Sequence, residues 1–392
     1  MKILSEAKTL LKDNIRDYGM YIALLVIIVT FTVLTDGLFL SSRNISNLLD
    51  SAGYIAVLAV GVMLVIVIRH IDLSIGFLAG FLGAIGAILL MHVGLPVYIV
   101  IPIILILGMF AGLFTGFLVA KVGIPAFVAT LAGWLIYRGA ILQATERSGT
   151  IIITDPTFNA IGNGYIPSLL EVGGVHLLSV LIGVAAILLY IYSAIKNRNN
   201  KMKYQFEVVS RPIFLIQLVF VSSIIGYITW ILSNYNGFSW TVVIMFLVVL
   251  IYHFVTTKTV LGRHIYAVGS NPEAAHLSGI NVAKITMIVF GSMGLLSALS
   301  GILFTSRLQA ATTTAGTLFE LDAIAAAYVG GVSAAGGVGK VTGAIIGAIV
   351  MASLTSGMNL LGVGIAYQYM IRGAVLALAV IFDVMTRRKA SA

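Results

Sequence analysis

Long apolar runs follow one another along almost the whole chain and are separated by short polar segments. Many of these runs reach or approach about 20 residues, the length that an α-helix needs to cross about 30 Å of hydrocarbon. A helix also satisfies its own backbone hydrogen bonds, as a segment in lipid must. The pattern predicts twelve membrane-spanning helices, near residues 20–36, 53–69, 74–92, 97–120, 125–143, 175–195, 213–233, 239–256, 285–305, 322–337, 341–361 and 366–386.

The weakest of these predicted helices is 322–337, which is short and rich in glycine. A re-entrant half-helix is the alternative there, so the prediction ranges from ten to twelve crossings. Losing this crossing alone would place the basic residues 387–389 outside the cell, so the positive-inside rule favours twelve. The predicted fold is an all-α polytopic membrane protein in which residues 1–392 form a single transmembrane domain.

The composition agrees with a membrane protein. Hydrophobic residues make up 60% of the 392 residues and charged residues only 9%, and the mean hydropathy is +1.08. Soluble domains, by comparison, carry about 25% charged residues. The 41 glycines are typical of helices that pack closely in lipid, and the absence of cysteine excludes disulfides and thiol chemistry.

The formal net charge of +9 comes from basic residues that cluster in four places. These are the N-terminal tail 1–19, the basic loop 196–212, the loop 257–284 and the C-terminus. Because this clustering follows the positive-inside rule, we expect all four to be cytoplasmic and expect no nucleic-acid partner. The tail lacks the cleavage site of a signal peptide. It either lies on membrane lipid through an amphipathic face or frays in water.

Two polar segments lie on the external side in this topology. The external loop 146–173 contains turn signals at Asp155-Pro156 and Asn163-Gly164. The segment 305–322 is rich in threonine and small residues. Each segment either receives an external partner or only covers the ends of the helices.

A short helix is predicted inside the loop 257–284. Asn271 is a good N-cap, and Pro272 fits the first helical position. Glu273 suits the positive end of the helix, and Gly279 ends it. Because a helix of under two turns is unstable alone in water, it needs a surface to pack against. It either docks on another protein or connects two spans along the membrane surface.

Ionisable residues at membrane depth are costly and are usually paired. The stretch Arg69 to Gly76, which includes Asp72 and Ser74, is the junction of two predicted spans. It is either a helix break near a transport pathway, with Asp72 capping the next helix and Arg69 as counter-charge, or a cytoplasmic turn. Arg372 lies inside the last span and forms either a structural pair or a substrate contact.

The sequence contains a faint internal similarity. The segments 72–90 and 321–350 each have an acidic residue at or next to their start, Asp72 and Asp322, and continue into small-residue helices. An inverted or parallel repeat of this kind is common in transporters, where it lies near the substrate pathway.

Catalysis by this chain is not expected. The stretch "AAGGVGKVTG" resembles a phosphate-binding loop, but Ala334 replaces its first glycine and Val341 stands where Ser or Thr would hold magnesium. The sequence shows no carboxylate pair, metal-binding histidine cluster or nucleophile motif. We therefore expect a protein that is not an enzyme and binds neither metal nor ATP.

Three stretches resemble the ABC importer permeases of the ribose/xylose/galactose family. They are "RHIDLSIG" (69–76), "GRHIYAVGSNPEAAHLSGINV" (262–282) and "LFELDAIAAAYVGGVSAAGGVGKVTGAIIGAIV" (318–350). The resemblance extends over most of 45–385. It implies the fold of these permeases and a homodimer in the bacterial inner membrane, with both termini cytoplasmic.

The resemblance also implies partners. A separate ATPase subunit would bind ATP and magnesium, so this chain would need no cofactor, and an external binding protein would deliver a monosaccharide. The loop 257–284, called the coupling loop below, would contact the ATPase. The implied contact residues are Gly262, Arg263, Asn271, Pro272, Glu273, Ala274, Ala275, Ser278 and Gly279.

Two features depart from the shorter members of that family. The basic loop 196–212 and the span after it resemble the insertion of xylose and multiple-monosaccharide permeases, which favours xylose or another aldose. Arg69-His70 replaces the commoner Gly-Gly. An ion-coupled secondary transporter and a permease for branched-chain amino acids are the alternative functions.

Overall fold

The chain folds into a bundle of α-helices with a few very short strands. The computed structural model describes residues 15–146, 149–168, 171–172, 175–206 and 208–390, and the first 14 residues of the predicted tail lie outside this range. The helices of the described residues are α1 (Ile15–Leu34), α2 (Ser42–Val67), α3 (Ile75–Met91), α4 (Val97–Phe117), α5 (Ala126–Thr145), α6 (Pro156–Asn163), α7 (Leu177–Lys203), α8 (Arg211–Ser233), α9 (Trp240–Lys258), α10 (Val260–Ser270), α11 (Pro272–Leu277), α12 (Val282–Leu308), α13 (Phe319–Val329), α14 (Val341–Leu360) and α15 (Ile365–Ala390).

Nine helices in the described part of the chain are long and apolar enough to cross a membrane. They are α2, α4, α5, α7, α8, α9, α12, α14 and α15. Two shorter apolar helices, Gly19–Leu34 and Ile75–Met91, accompany them. The predicted class, a polytopic helical membrane protein, is confirmed.

Helix α2 lies at the centre of the bundle. Every residue from Ile55 to Ile68 is buried, and the helix packs against α9, α12, α13 and α14. A helix that is apolar on all sides must be surrounded by other helices or lipid. Helix α2 is therefore enclosed by other helices over most of its length.

Glycines allow α4 and α12 to approach closely. A Cβ atom at Gly112 would lie 2.1 Å from the carbonyl oxygen of Phe290, and one at Gly294 would lie 2.1 Å from that of Gly108. Any side chain at these positions would separate the two helices. In lipid the hydrophobic effect does not drive helices together, so close van der Waals packing through small residues supplies the attraction.

The start of α1 and the end of α15 lie side by side, at what we call the terminal face. Gly19 is next to the ring of Phe382. The carboxylate of Asp383 accepts a hydrogen bond of 3.3 Å from the backbone N–H of Ala334, so the connection between α13 and α14 is on the same face. Both described ends of the chain therefore share one side of the bundle.

The two predicted external segments meet on the opposite face. Strand β1 (Thr150–Ile152) pairs antiparallel with β4 (Ala310–Thr312), and the side chain of Asp155 caps α6 by accepting from Phe158 N–H at 2.8 Å. Two further short strands, β2 (Glu171–Val172) and β3 (Val175–His176), pair antiparallel and precede α7.

Two helices extend beyond their predicted limits. Helix α2 begins at Ser42 instead of near 53, because the hydroxyl of Ser41 accepts from Asn44 N–H and caps it. Helix α7 continues through Lys203. The first half of the predicted basic loop 196–212 is therefore helical.

The predicted span 322–337 is wrong. The helix of this region, α13, has 11 residues, which is about 16 Å at 1.5 Å per residue and too short to cross a membrane. It ends where Gly331, Gly336 and Gly337 take positive φ angles of 84°, 81° and 71°. The half-helix alternative describes this segment correctly.

Candidate functional site

The coupling loop consists of two short helices, α10 and α11, at the terminal face. The side chain of Asn271 accepts hydrogen bonds from Glu273 N–H at 3.0 Å and Ala274 N–H at 3.1 Å. Gly279 follows α11 with a φ of +83°. The predicted short helix, its N-cap and its glycine terminator are confirmed.

Helix α11 projects from the bundle and is anchored to it by a single buried side chain. Ala275 is 4% exposed, whereas Leu277 is 87% exposed. The other exposed positions are Asn271, Glu273, Ala274, His276, Ser278 and Gly279. The exposed leucine, on a helix too short to be stable alone, makes this surface a candidate for contact with a partner.

Two of the predicted contact residues have a different place. Gly262 is buried, and a Cβ atom there would lie 2.4 Å from the carbonyl oxygen of Val255. Gly262 therefore allows α10 to pack against the end of α9. Ala275 anchors α11 to the bundle, and the remaining predicted residues are exposed or half-buried.

Helix α10, the first helix of the coupling loop, contacts two parts of the bundle, the end of α2 and the connection between α13 and α14. The hydroxyl of Tyr266 donates to the carbonyl oxygen of Gly339 at 2.6 Å, and burial raises the pKa of this hydroxyl, so it stays a donor. A Cβ atom at Gly269 would lie 2.0 Å from the carbonyl oxygen of Val67. Gly337 N–H also donates to that carbonyl at 2.8 Å. The loop thus contacts the end of α2 and the α13–α14 connection.

A groove of about 630 Å³ lies beside α11. It is lined by His70, Val119, Ala120, His276, Gly279, Ile280, Asn281, Val282, Ala283 and Thr286. Burial lowers the pKa of His70, so this imidazole is neutral near pH 7. The groove continues the exposed surface of the coupling loop.

Arg69 and Asp72 are not partners, so the alternative in which Arg69 is the counter-charge of Asp72 does not hold. The guanidinium of Arg69 points to α10 and donates to the carbonyl oxygens of Gly269 and Ser270. Asp72 is buried and accepts from the backbone N–H of Ser74 at 2.9 Å and from its hydroxyl at 2.6 Å. Asp72 therefore closes the turn directly before α3.

The starts of α3 and α13 meet inside the bundle. A Cβ atom at Gly76 would lie 2.5 Å from the carbonyl oxygen of Gly316, and one at Gly316 would lie 2.1 Å from that of Gly76. Helix α3 runs from this point to the opposite face, where Met91 contacts Thr154. Helix α13 runs to the terminal face. The two similar segments of the sequence are thus opposed half-helices, an arrangement typical of transporter sites.

Glu320 lies in the first turn of α13 and was not selected from the sequence. It is 4% exposed and its Oε1 accepts from the indole N–H of Trp134 at 3.1 Å. Trp134 in turn packs edge-on against Phe77, with ring centroids 4.8 Å apart. Two carboxylates, Glu320 and Asp322, in the first turn of an apolar half-helix were the available signal, because such groups mark functional sites in membranes.

Arg372 pairs with Asp322 across α15 and α13. The Nη1 of Arg372 lies 3.1 Å from Oδ2 of Asp322, and each side chain is about one fifth exposed. The structural pairing expected for Arg372 is confirmed, with a partner that the sequence did not identify. The pair also borders a cavity, so structural pairing and contact with a ligand are compatible.

This cavity has a volume of about 440 Å³ and lies in the half of the bundle nearer the opposite face. Its polar and aromatic lining comes from α2, α13, α14 and α15 and the turn before α13. The residues are Asn44, Asn47, Ser51, Tyr54, Thr317, Phe319, Asp322, Thr355, Ser356, Asn359, Tyr369 and Arg372. Hydroxyls, amides, one ion pair and aromatic rings are the groups that bind a polar ligand with an apolar side.

The described residues contain no group of three or more acidic, histidine or cysteine side chains that could hold a metal ion. That this chain needs no cofactor stays a prediction.

Comparisons with known proteins agree with this architecture. The family model described as branched-chain amino acid transport system / permease component matches residues 44–380. The xylose transport system permease protein XylH of Haemophilus influenzae is 38% identical over 378 residues, which are 96% of this chain and 98% of that protein. XylH of Escherichia coli is 37% identical over 96% of this chain and 93% of its own length.

A more distant relative covers less of the chain. The ribose import permease protein RbsC of Escherichia coli is 34% identical over 279 residues, which are 71% of this chain and 66% of that protein. A comparison with solved structures finds no significant match. The family match and the two nearly full-length relatives show that the chain belongs to the family of transport-system permease components, and that it is a membrane-spanning subunit of an ABC importer and not an enzyme.

Proposed function

We propose that this chain is the permease subunit of an ATP-driven importer of xylose or a related aldose. The relatives that match nearly its whole length are xylose permeases by name. The family description mentions branched-chain amino acids, but no relative named above transports them. An ion-coupled transporter lacks support from the family.

An importer of this family lies in the inner membrane and works with an ATPase subunit and an external binding protein. We propose that two copies of this chain form the membrane part, in contact with lipid. Most of α15 is exposed, and only 6% of its membrane-spanning window is buried. An apolar helix exposed to this extent needs lipid or a second permease copy around it.

The terminal face is proposed to be cytoplasmic. The basic residues near the end of α7 and in the coupling loop lie there, and the positive-inside rule places such residues in the cytoplasm. The opposite face, with its paired strands β1 and β4, would then receive the binding protein.

The exposure of helix α11 is the observation that supports the proposed mechanism. A short helix that is capped at Asn271, held by Ala275 and exposed at Leu277 has the geometry of a docking element. We propose that the ATPase subunit binds it and moves it when ATP binds. Because α10 contacts the end of α2 and the α13–α14 connection, this motion would reach the half-helices.

The 440 Å³ cavity is proposed as part of the sugar pathway. It ends at the start of α13, where Asp322 and Arg372 lie, and next to the meeting point of the two half-helices. Sugar hydroxyls would bond to the amides and the ion pair, and the aromatic rings would face the C–H groups of the sugar. Substrate selection would rest mainly on the binding protein.

Uptake into vesicles tests the function. The complex of this chain, its ATPase and its binding protein would be reconstituted and supplied with labelled xylose, glucose, galactose or leucine. The proposal predicts aldose uptake that needs both ATP and the binding protein. Uptake of leucine but no sugar would contradict the proposed substrate, and uptake driven by an ion gradient without ATP would contradict the mechanism.

A further inference from the structure

The end of α2 has an unusual residue for its backbone geometry. His70 N–H donates to Val65 C=O at 3.0 Å, and Arg69 N–H donates to Ile66 C=O at 2.8 Å. These two bonds form the helix ending in which the residue after the cap is left-handed and is usually glycine. Arg69 occupies this position with a φ of +66°. An arginine there has an energetic disadvantage that its side chain must offset.

The side chain of Arg69 reaches the C-terminus of α10. Its Nε donates to Gly269 C=O at 2.7 Å, and its Nη2 donates to Ser270 C=O. Carbonyl groups in the last turn of a helix lack partners within the helix and attract positive charge. The guanidinium therefore holds the last turn of α10, directly before Asn271 and α11.

The stem of Arg69 also lies against the connection between α13 and α14. A Cβ atom at Gly336 would lie 2.4 Å from Cγ of Arg69 and 2.9 Å from the carbonyl oxygen of Val67. One residue thus joins the end of α2, the end of α10 and the connection that follows half-helix α13.

Backbone packing and the Arg69 bonds differ in the direction of force that they transmit. The close contact of Gly269 with Val67 resists compression, so it transmits a push from the coupling loop. The two hydrogen bonds from the charged Arg69 side chain also resist separation, so they transmit a pull, to which the bond from Tyr266 to Gly339 adds. We propose that Arg69 is a positioning residue that makes α2 and α13 follow α11 when the coupling loop moves away from the bundle.

This inference rests on the proposed function, and the test separates the two. Uptake of labelled xylose and ATP hydrolysis would be measured together in vesicles containing the complete complex with Arg69→Gly, Arg69→Lys or the unchanged chain. Ser270→Ala is the matched control, because it removes only a hydroxyl bonded to Tyr266 C=O and keeps the carbonyl that Arg69 binds.

For Arg69→Gly we expect the sugar imported per ATP hydrolysed to fall about tenfold or more, because both charge-assisted hydrogen bonds of the side chain are lost. The melting temperature should not fall, because glycine suits a positive φ. The sugar imported per ATP hydrolysed by Arg69→Lys should lie between the values of Arg69→Gly and the unchanged chain, since lysine keeps the charge without the planar fork. Ser270→Ala should keep the ratio of the unchanged chain.

An unchanged ratio of sugar to ATP in Arg69→Gly would overturn the inference. Equal losses of uptake, hydrolysis and melting temperature would also overturn it, because Arg69 would then only support the fold. Loss of the ATPase subunit from the complex would overturn it as well. If the unchanged chain shows no ATP-dependent uptake, the proposed function itself fails.

Discussion

At the scale of single residues, the sites with the least tolerance are the points where backbone touches backbone. Gly76 and Gly316 allow the two half-helices to meet, and no other residue type has the space. The sequence shows the glycines but not their partners, because the contact joins segments that lie far apart in the chain. Their role could therefore be read only from the folded structure.

We predict that Gly76→Ala destabilises the protein by about 1–3 kcal/mol, the usual cost of overpacking. The new methyl group would lie 2.1 Å from a carboxylate oxygen of Glu320 and 2.5 Å from a backbone carbonyl. Thermal unfolding in detergent would measure the loss. Gly139→Ala is the matched control, since nothing lies within 4 Å of its Cβ position in α5, and it should be neutral or stabilising. Equal melting temperatures for the two variants would contradict the contact.

The ion pair between Asp322 and Arg372 leads to a second prediction. Asp322→Asn and Arg372→Gln should each destabilise the protein, and the double variant should lose less than the sum of the two. We expect a coupling free energy of about 0.5–3 kcal/mol, as for other groups in direct contact. The melting temperatures of the unchanged chain, the two single variants and the double variant together measure this coupling. Additive losses of stability in the double variant would show that the ion pair itself contributes nothing to the free energy of unfolding.

At the scale of elements, the local signals succeeded where local chemistry decides the structure. The capping residue, proline and glycine of α11 predicted its start and its end, because these residues act on their immediate neighbours. The span 322–337 failed, because a membrane helix and a half-helix followed by glycine turns have similar hydropathy. The partner of Arg69 was missed for a related reason: Gly269 and Ser270 lie about 200 residues away.

The cap of α11 provides the third prediction. Asn271→Ala removes two hydrogen bonds and should cost about 1 kcal/mol of local helix stability. Hydrogen exchange at 273–278 should become faster and binding of the ATPase subunit weaker. Asp155→Ala removes the cap bond of α6 on the opposite face and should leave both unchanged. Slow exchange in Asn271→Ala would contradict a role of the cap.

At the scale of the whole molecule, the proposed mechanism requires a cytoplasmic terminal face and an external opposite face. Because the chain has no cysteine, a single introduced cysteine can be labelled without background. We predict that Ser278→Cys reacts with a membrane-impermeant maleimide only in inverted vesicles, and that Asn234→Cys reacts only in right-side-out vesicles. The reverse pattern would contradict the proposed orientation.

In the proposed mechanism, ATP-driven motion enters the permease through α11. The most direct test is xylose uptake by the complete complex with Glu273→Arg, compared with Lys201→Glu, a charge change of the same size and opposite sign at the exposed end of α7 on the same face. The account predicts that Glu273→Arg abolishes uptake and weakens ATPase binding while the melting temperature is kept, and that Lys201→Glu transports normally. Full uptake with Glu273→Arg would contradict it.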